Sequence, residues 1–215
     1  MPDFSGFQSD MKNIAIFASG GGTNAINIIN YFNNNTTHTG AVSNGQNTAC
    51  VKIVICNNPK AYVLTRAENA GVENIVLTKE ELTSSVERLL SILEAHGTDY
   101  IILAGYLLKI PEILIDKYQG RIINIHPALL PAYGGKGMYG HHVHEAVIAA
   151  KEKKSGITIH LVDEKYDNGK ILFQAECMLT ENDTPESLAG KIHTLEQDNF
   201  PNVIAGYIQS KNFEI

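Results

Sequence analysis

Apolar and polar positions alternate in blocks along the chain. Residues 14–18 form a continuous apolar run, a glycine cluster follows, and an isoleucine-rich stretch to Phe32 repeats its apolar positions at helical spacing. The pattern predicts strand, turn and helix. Residues 51–56 make a second apolar strand, Pro59 marks the start of a helix closing at Gly71, and residues 74–77 make a third strand. Thr78 then caps one long helix whose Leu82, Val86, Leu89, Leu90 and Leu93 share a face. Residues 100–104 read as a buried strand, Pro111 opens a helix over 112–118, and 121–125 make the fifth strand. After Pro127 come a glycine-rich loop, a helix over 142–152, and β-prone runs at 156–162 and 170–178 around Asp-Asn-Gly. A last helix is expected over 185–209, capped by Asp183 or Thr184 and kinked or split at Gly190 and Pro201. The Asn-, Thr- and Gly-rich residues 33–48 interrupt the rhythm as a surface loop.

Strands separated by helices imply right-handed crossovers. The expected fold is therefore α/β, a doubly wound and mostly parallel sheet with flanking helices and a C-terminal antiparallel extension. With 215 residues, 44% of them hydrophobic, there is enough apolar material for one sizeable core. Residues 11–215 are expected to form a single domain, and residues 1–10, without a basic patch followed by an apolar stretch, a flexible extension.

Charge and cysteine content narrow the function classes. Lys+Arg 17 against Asp+Glu 23 gives a net charge of −6, which argues against a nucleic-acid partner and for small-molecule substrates. No apolar run approaches the about 20 residues a membrane-spanning helix needs. Three widely spaced cysteines build neither a disulfide framework nor a zinc site, so a reducing cytoplasm is the expected compartment.

Three places along the chain suggest chemistry. Ser19-Gly-Gly-Gly-Thr-Asn24 follows the first strand and opens a helix, where free backbone N–H groups and the helix dipole suit a phosphate. A tight turn with no ligand fits the same glycines. Asn124 and His126 alternate at the end of the fifth strand, so they share a face where open α/β sheets bind ligands. A carboxamide and an imidazole there can donate to an oxyanion and move a proton, although a histidine satisfied by backbone is also common. Asp167 in Asp-Asn-Gly is either a carboxylate turned inward to orient the histidine or a water, or ordinary turn chemistry. His141, His142 and His144 have ligand-like spacing but no companion carboxylate or cysteine nearby in sequence, which favours a solvated loop and helix start over a metal site.

Taken in order, Ser-Gly-Gly-Gly-Thr-Asn, Leu103-Ala-Gly-Tyr106, Ile123-Asn-Ile-His-Pro-Ala-Leu-Leu-Pro131, Gly156-Ile-Thr-Ile-His160 and Asp167-Asn-Gly resemble the phosphoribosylglycinamide formyltransferase family, folate-dependent enzymes of purine synthesis. The similarity runs from about Lys12 to Gly206, and the Asn-x-His-Pro-x-Leu-Leu-Pro block is highly specific to enzymes that use formyltetrahydrofolate. The resemblance implies formyl transfer from 10-formyltetrahydrofolate, as co-substrate and without a metal, to the amine of 5-phosphoribosylglycinamide. It implies that Asn124, His126 and Asp167 are the catalytic trio, with Asn124 and protonated His126 stabilising the oxyanion, and Asp167 supporting the imidazolium and ordering a water that relays protons to the departing folate nitrogen. It assigns Gly22, Thr23 and Asn24 to the ribonucleotide phosphate and Glu196 to the glycinamide substrate. Leu107, Leu108, Lys109 and Ile110, with Asp163, Glu164, Lys165 and Tyr166, would wall the folate pocket. Two departures from the family pattern are visible: residues 133–141 are longer than in the shorter bacterial forms, and residues 78–85 lack an arginine some members use near the folate. A 10-formyltetrahydrofolate hydrolase would use the same trio but typically carries an N-terminal regulatory domain, and a noncatalytic nucleotide-binding module is the alternative from another class. A monomer or homodimer is expected.

Overall fold

Runs of isoleucine, valine and alanine make the strands, because β-branched side chains pack well on a pleated surface. The computed structural model describes residues 11–33 and 49–211, and among them seven strands form one sheet. Strands β1 (Lys12–Ala18), β2 (Ala49–Cys56), β3 (Glu73–Val76), β4 (Tyr100–Leu103) and β5 (Ile122–His126) run parallel. Strand β6 (Lys154–Leu161) pairs antiparallel with β5, and β7 (Ile171–Met178) antiparallel with β6. Across the sheet the order is β3-β2-β1-β4-β5-β6-β7, which is the expected doubly wound α/β fold with its antiparallel extension. The extension expected over residues 1–10 and the polar tract beyond Asn33 lie outside the described residues.

Alternation along the strands sends Ile14 and Ile16 to one face and Ala15 and Phe17 to the other. On the first face, α1 (Thr23–Asn33), α2 (Tyr62–Asn69), α6 (His141–Ala149) and α7 (Pro185–Lys211) bury Ile28, Val63, Val143 and Ile204. On the second, α3 (Lys79–Thr83), α4 (Glu87–Ala95) and α5 (Glu112–Lys117) bury Leu82, Leu89 and Leu114. The chain leaves β1 for β2 on one side and returns to β4 on the other. The loops after β1 and β4 therefore part at the carboxyl ends of their strands, where such sheets open a crevice. Its two lips are tied: the Ser19 N–H donates to the Gly105 carbonyl (3.1 Å), and the Ser19 hydroxyl accepts from the Leu107 N–H (3.1 Å).

Three helices depart from the sequence pattern. The long helix expected from Thr78 is two, α3 and α4. Thr78 and Glu81 do form a reciprocal capping box, but the N–H groups of Ser84 and Ser85 both turn back to the Glu80 carbonyl, and the Ser84 hydroxyl joins them there. Local serine hydrogen bonds compete with helix propagation. Leu82, Leu89 and Leu93 still reach the same core. Pro59 does not open α2, because the Asn58 side chain takes the Lys60 N–H (3.0 Å) in a turn and the helix begins only at Tyr62. Helix α7 runs unbroken through Gly190 and Pro201. A proline cannot donate to the carbonyl four residues back. Here that carbonyl, on Gln197, accepts instead from the Asn27 side chain of α1 (2.8 Å). Thr184 rather than Asp183 caps the helix, its hydroxyl accepting from the Ser187 N–H (3.2 Å).

At Gly156 of β6 an added Cβ would overlap the Ala175 carbonyl of β7. Gly156→Ala should therefore cost about 1–3 kcal/mol through overpacking of the hairpin. A denaturant midpoint equal to that of the parent would contradict this close approach.

Candidate active site

Because β5 and β6 are antiparallel neighbours, Asn124 stands opposite His160 and His126 opposite Thr158. All four side chains come from adjacent strands where the crevice opens. The Asn124 Nδ2 lies 3.1 Å from His160 Nε2, while His160 Nδ1 lies 2.8 Å from the Leu161 carbonyl. A carbonyl only accepts, so His160 Nδ1 carries the hydrogen and its Nε2 accepts from Asn124. That fixes the carboxamide with its amino group committed on one side. In the same way His126 Nε2–H donates to the Tyr133 carbonyl (2.7 Å), which leaves Nδ1 with a lone pair. Thr158, fully buried, donates to the Ala128 carbonyl (2.7 Å) and accepts from the Leu130 N–H (2.9 Å), pinning the chain just past His126.

Asp167 reaches this cluster from the turn after β6. Its φ of 53° is left-handed, a conformation aspartate tolerates better than most residues. One oxygen, Oδ2, accepts from the Gly135 N–H (2.8 Å) and lies 3.7 Å from His126 Nδ1; the other lies 3.7 Å from His160 Nε2. Burial pulls the Asp167 carboxyl up, but His160, the Gly135 N–H and His126 outweigh it and hold the group below its ordinary range. At His126 the balance is reversed. Burial pushes its pKa down, and the opposing pull of Asp167 and of the Tyr133 hydrogen bond does not restore it. In the free protein burial thus disfavours the imidazolium, while Asp167 and the Tyr133 carbonyl favour it.

The glycine turn lies across the crevice. Gly22 has φ 78° and presses against Val63, whereas Gly20 and Gly21 face open space. The first N–H groups of α1 have no intrahelical partner, and its first residues, Thr23 and Asn24, line the opening. Asn24 contributes there by its backbone alone, because its side chain donates to Glu196 Oε2 (2.9 Å) and accepts from Gln197 Nε2 (2.8 Å). Burial pushes the Glu196 carboxyl up to about 6, against the opposing Asn24 hydrogen bond.

One cavity of about 730 Å³ joins these parts. It is lined by Gly22, Thr23 and Asn24, by Asn124, His126 and Asp167, by Glu196, and by both expected walls, residues 107–110 and 163–166. Every site residue expected from sequence thus meets in one space. Gly20 and Gly21 of the same glycine cluster also line it, as do residues to which the sequence assigned no role in the site: Tyr106, His160, His193, His144 and residues 135–140. His160 alternates with Thr158 on β6, a signal that pairs with the Asn124/His126 alternation only once the register is known. His144, expected in a solvated helix start, is buried at 7% exposure with Nδ1 unpartnered, while His141 and His142 are exposed beside Glu145. Among the described residues no group of three or more His, Cys, Asp or Glu side chains is arranged to hold a metal ion.

The two perturbed groups give opposite pH dependences of folding. For His126 the folded pKa lies below the ordinary 6.5, so its contribution is present above that value and lost as pH falls through the folded pKa. For Glu196 the folded pKa lies above the ordinary 4.5, so its contribution is present below that value and lost as pH rises through about 6. Glu196→Gln keeps an acceptor for Asn24 and removes the buried charge. It should stabilise the free protein at neutral pH by about 1–2 kcal/mol and have little effect at about pH 4. Equal stability changes in denaturant melts at the two pH values would rule out the buried charge as the cause.

Residues 12–204 match the formyl transferase family. The chain is 36% identical over 213 residues to "Phosphoribosylglycinamide formyltransferase, chloroplastic" of Arabidopsis thaliana, covering 97% of this chain and 70% of the relative. It is 34% identical over 197 residues to phosphoribosylglycinamide formyltransferase of Bacillus subtilis, covering 90% and 93%. The crystal structure of glycinamide ribonucleotide transformylase 1 from Symbiobacterium toebii superposes with a TM-score of 0.81 at 30% identity, covering 95% of this chain and 91% of that one. Asn124 and His126 at the end of β5 with Asp167 brought up beside them, the glycine turn across the crevice and these likenesses over nearly the whole length lead to one conclusion: the chain belongs to the formyl transferase family.

Proposed function

We propose that this chain transfers the formyl group of 10-formyltetrahydrofolate to the amine of 5-phosphoribosylglycinamide, a step of purine synthesis. The observation that carries the reading is the convergence of Asn124, His126 and Asp167 on a cavity whose other arm is the glycine turn. The folate arm fits a flat aromatic ring system: Leu107 and Tyr166 stand 52% and 48% exposed on its two walls, apolar surface that a ligand would cover. The formyl-folate supplies a carbonyl carbon open to attack by an amine, and the carbonyl oxygen gains negative charge as the amine adds. Asn124 donates an amino hydrogen to that oxygen. Neutral His126 takes the proton shed by the attacking amine on Nδ1, and Asp167, fixed as a carboxylate 3.7 Å away, stabilises the imidazolium so formed. His126 then returns the proton to the leaving nitrogen, so protons balance over the cycle. The backbone N–H groups of the turn hold the ribonucleotide phosphate, and Glu196 engages the rest of that substrate.

Within this reading residues 11–215 act as one formyltransferase unit on small molecules, as monomer or homodimer. We place it in the cytoplasm on the strength of three free cysteines, Cys50, Cys56 and Cys177. No helix among the described residues is long and apolar enough to cross a membrane.

Purified protein given formyl-folate should release the deformylated folate only when the ribonucleotide is present. Turnover with water alone would point to a hydrolase. Asn124→Ala and His126→Ala should each lower kcat by about a hundredfold or more, with little change in KM. Asp167→Asn removes the group that pulls the His126 pKa up, so the acid limb of its pH–rate profile should move to lower pH while kcat falls. A limb that stays in place would detach Asp167 from the histidine. Gly21→Val projects into open cavity, so it should raise KM for the ribonucleotide without lowering the melting temperature. Gly22→Ala should do the reverse, because its Cβ strikes Val63 at a left-handed φ.

A further inference from the structure

His126 can take a proton only on Nδ1, because its Nε2–H is spent on the Tyr133 carbonyl. That carbonyl is not aimed by ordinary backbone. Tyr133 has φ 56°, a left-handed conformation that costs a bulky residue about 1 kcal/mol or more and persists only where its surroundings hold it.

The holds are on both sides of the turn. The Tyr133 hydroxyl donates to Glu152 Oε1 (2.7 Å), a carboxylate on the exposed connection between α6 and β6 and absent from the cavity lining. At Gly134 an added Cβ would lie 2.6 Å from the Leu130 side chain and 3.3 Å from the Asp167 Cβ, so the turn is pressed against both. Leu130 is itself fixed by Thr158 at its N–H and by the Gln174 amide at its carbonyl (3.0 Å). The Gly135 N–H then occupies Asp167 Oδ2.

Three consecutive residues therefore touch both partners of the proton transfer through backbone atoms. The Tyr133 carbonyl holds the far nitrogen of His126, and the Gly135 N–H holds the near oxygen of Asp167. Between them they keep Nδ1 and Oδ2 at 3.7 Å, beyond hydrogen-bond range. Were Tyr133 to swing away, Nε2–H would lose its acceptor, and the proton would be better placed on Nδ1 facing the carboxylate. The imidazole would then have no lone pair toward the substrate.

We propose that Tyr133 is a positioning residue for proton transfer, and that Glu152, outside the cavity, acts through it: their hydrogen bond holds a turn that keeps His126 in its Nε2–H form with Nδ1 free. This rests on the reading of His126 as the proton acceptor in formyl transfer.

The test is a set of variants with two readouts. Tyr133→Phe and Glu152→Ala delete the same bond from either end. Each should lower kcat by about threefold to tenfold, with KM for both substrates unchanged, and the double variant should be no slower than the singles. Glu152→Gln, which keeps an acceptor oxygen, should behave as the parent. The second readout needs no reaction: nitrogen NMR of the histidine-labelled protein above the His126 pKa. The parent should show protonated Nε2 and bare Nδ1, and the two deletion variants a growing Nδ1–H population. A parent already in the Nδ1–H form overturns the proposal. So do variants that lose melting temperature alone, with tautomer and kcat intact, since Tyr133 and Glu152 would then be only a structural tie. A tautomer that shifts as expected while His126→Ala keeps full activity would uphold the clamp and refute the assignment of His126 as proton acceptor.

Discussion

The antiparallel register of β5 against β6 is the constraint on which the site depends. Side chains on a strand alternate, so a slip of one residue would turn Asn124 and His126 away from the crevice and set the wrong neighbours opposite them. In the observed register Asn124 meets His160 and His126 meets Thr158. Each reactive side chain thus receives, from the adjacent strand, a partner that fixes its amide or the chain behind it. The parallel strands β1 and β4 only open the crevice. The change of direction at β6 furnishes it.

Burial then decides what those groups are. His126 is 3% exposed, and the cost of taking an imidazolium out of water outweighs the pull of a carboxylate at 3.7 Å, which holds its pKa below the ordinary 6.5. Asp167 is buried too, yet its surroundings, with the Gly135 N–H donating to Oδ2, hold its carboxyl below the ordinary range. Neutral base and ionised carboxylate stand side by side because hydrogen-bond donors were distributed unequally between them.

Most of the fold was legible in the sequence because parallel strands buried on both faces are unbroken apolar runs, and residues 14–18, 53–56 and 100–104 show them plainly. The break between α3 and α4 was not, since it rests on where two serine N–H groups turn. Nor was the continuity of α7 through Pro201, which is settled by an asparagine 170 residues away along the chain. At the site, Asn124 and His126 were marked by alternation and Asp167 by its turn. His160, His144 and the Tyr133 carbonyl carried no such mark, since their roles arise from what packs beside them. The lowering of the His126 pKa carried no mark for the same reason: it comes from burial that only the folded chain creates.

Helix α7 gives the glycine turn a history. Asn24 and Asn27 find their hydrogen-bond partners in Glu196 and Gln197, 170 and more positions later along the chain. Contacts of such separation close late in folding, because loop-closure entropy must be met before they return anything. The turn is therefore steadied by α7 only late in folding. When Gln197 offers Asn27 the carbonyl that Pro201 left free, α1 and α7 are locked together. A ligand bound across that joint would favour the state in which α7 is docked over any in which it has come away, so binding and the closure of this long loop reinforce each other.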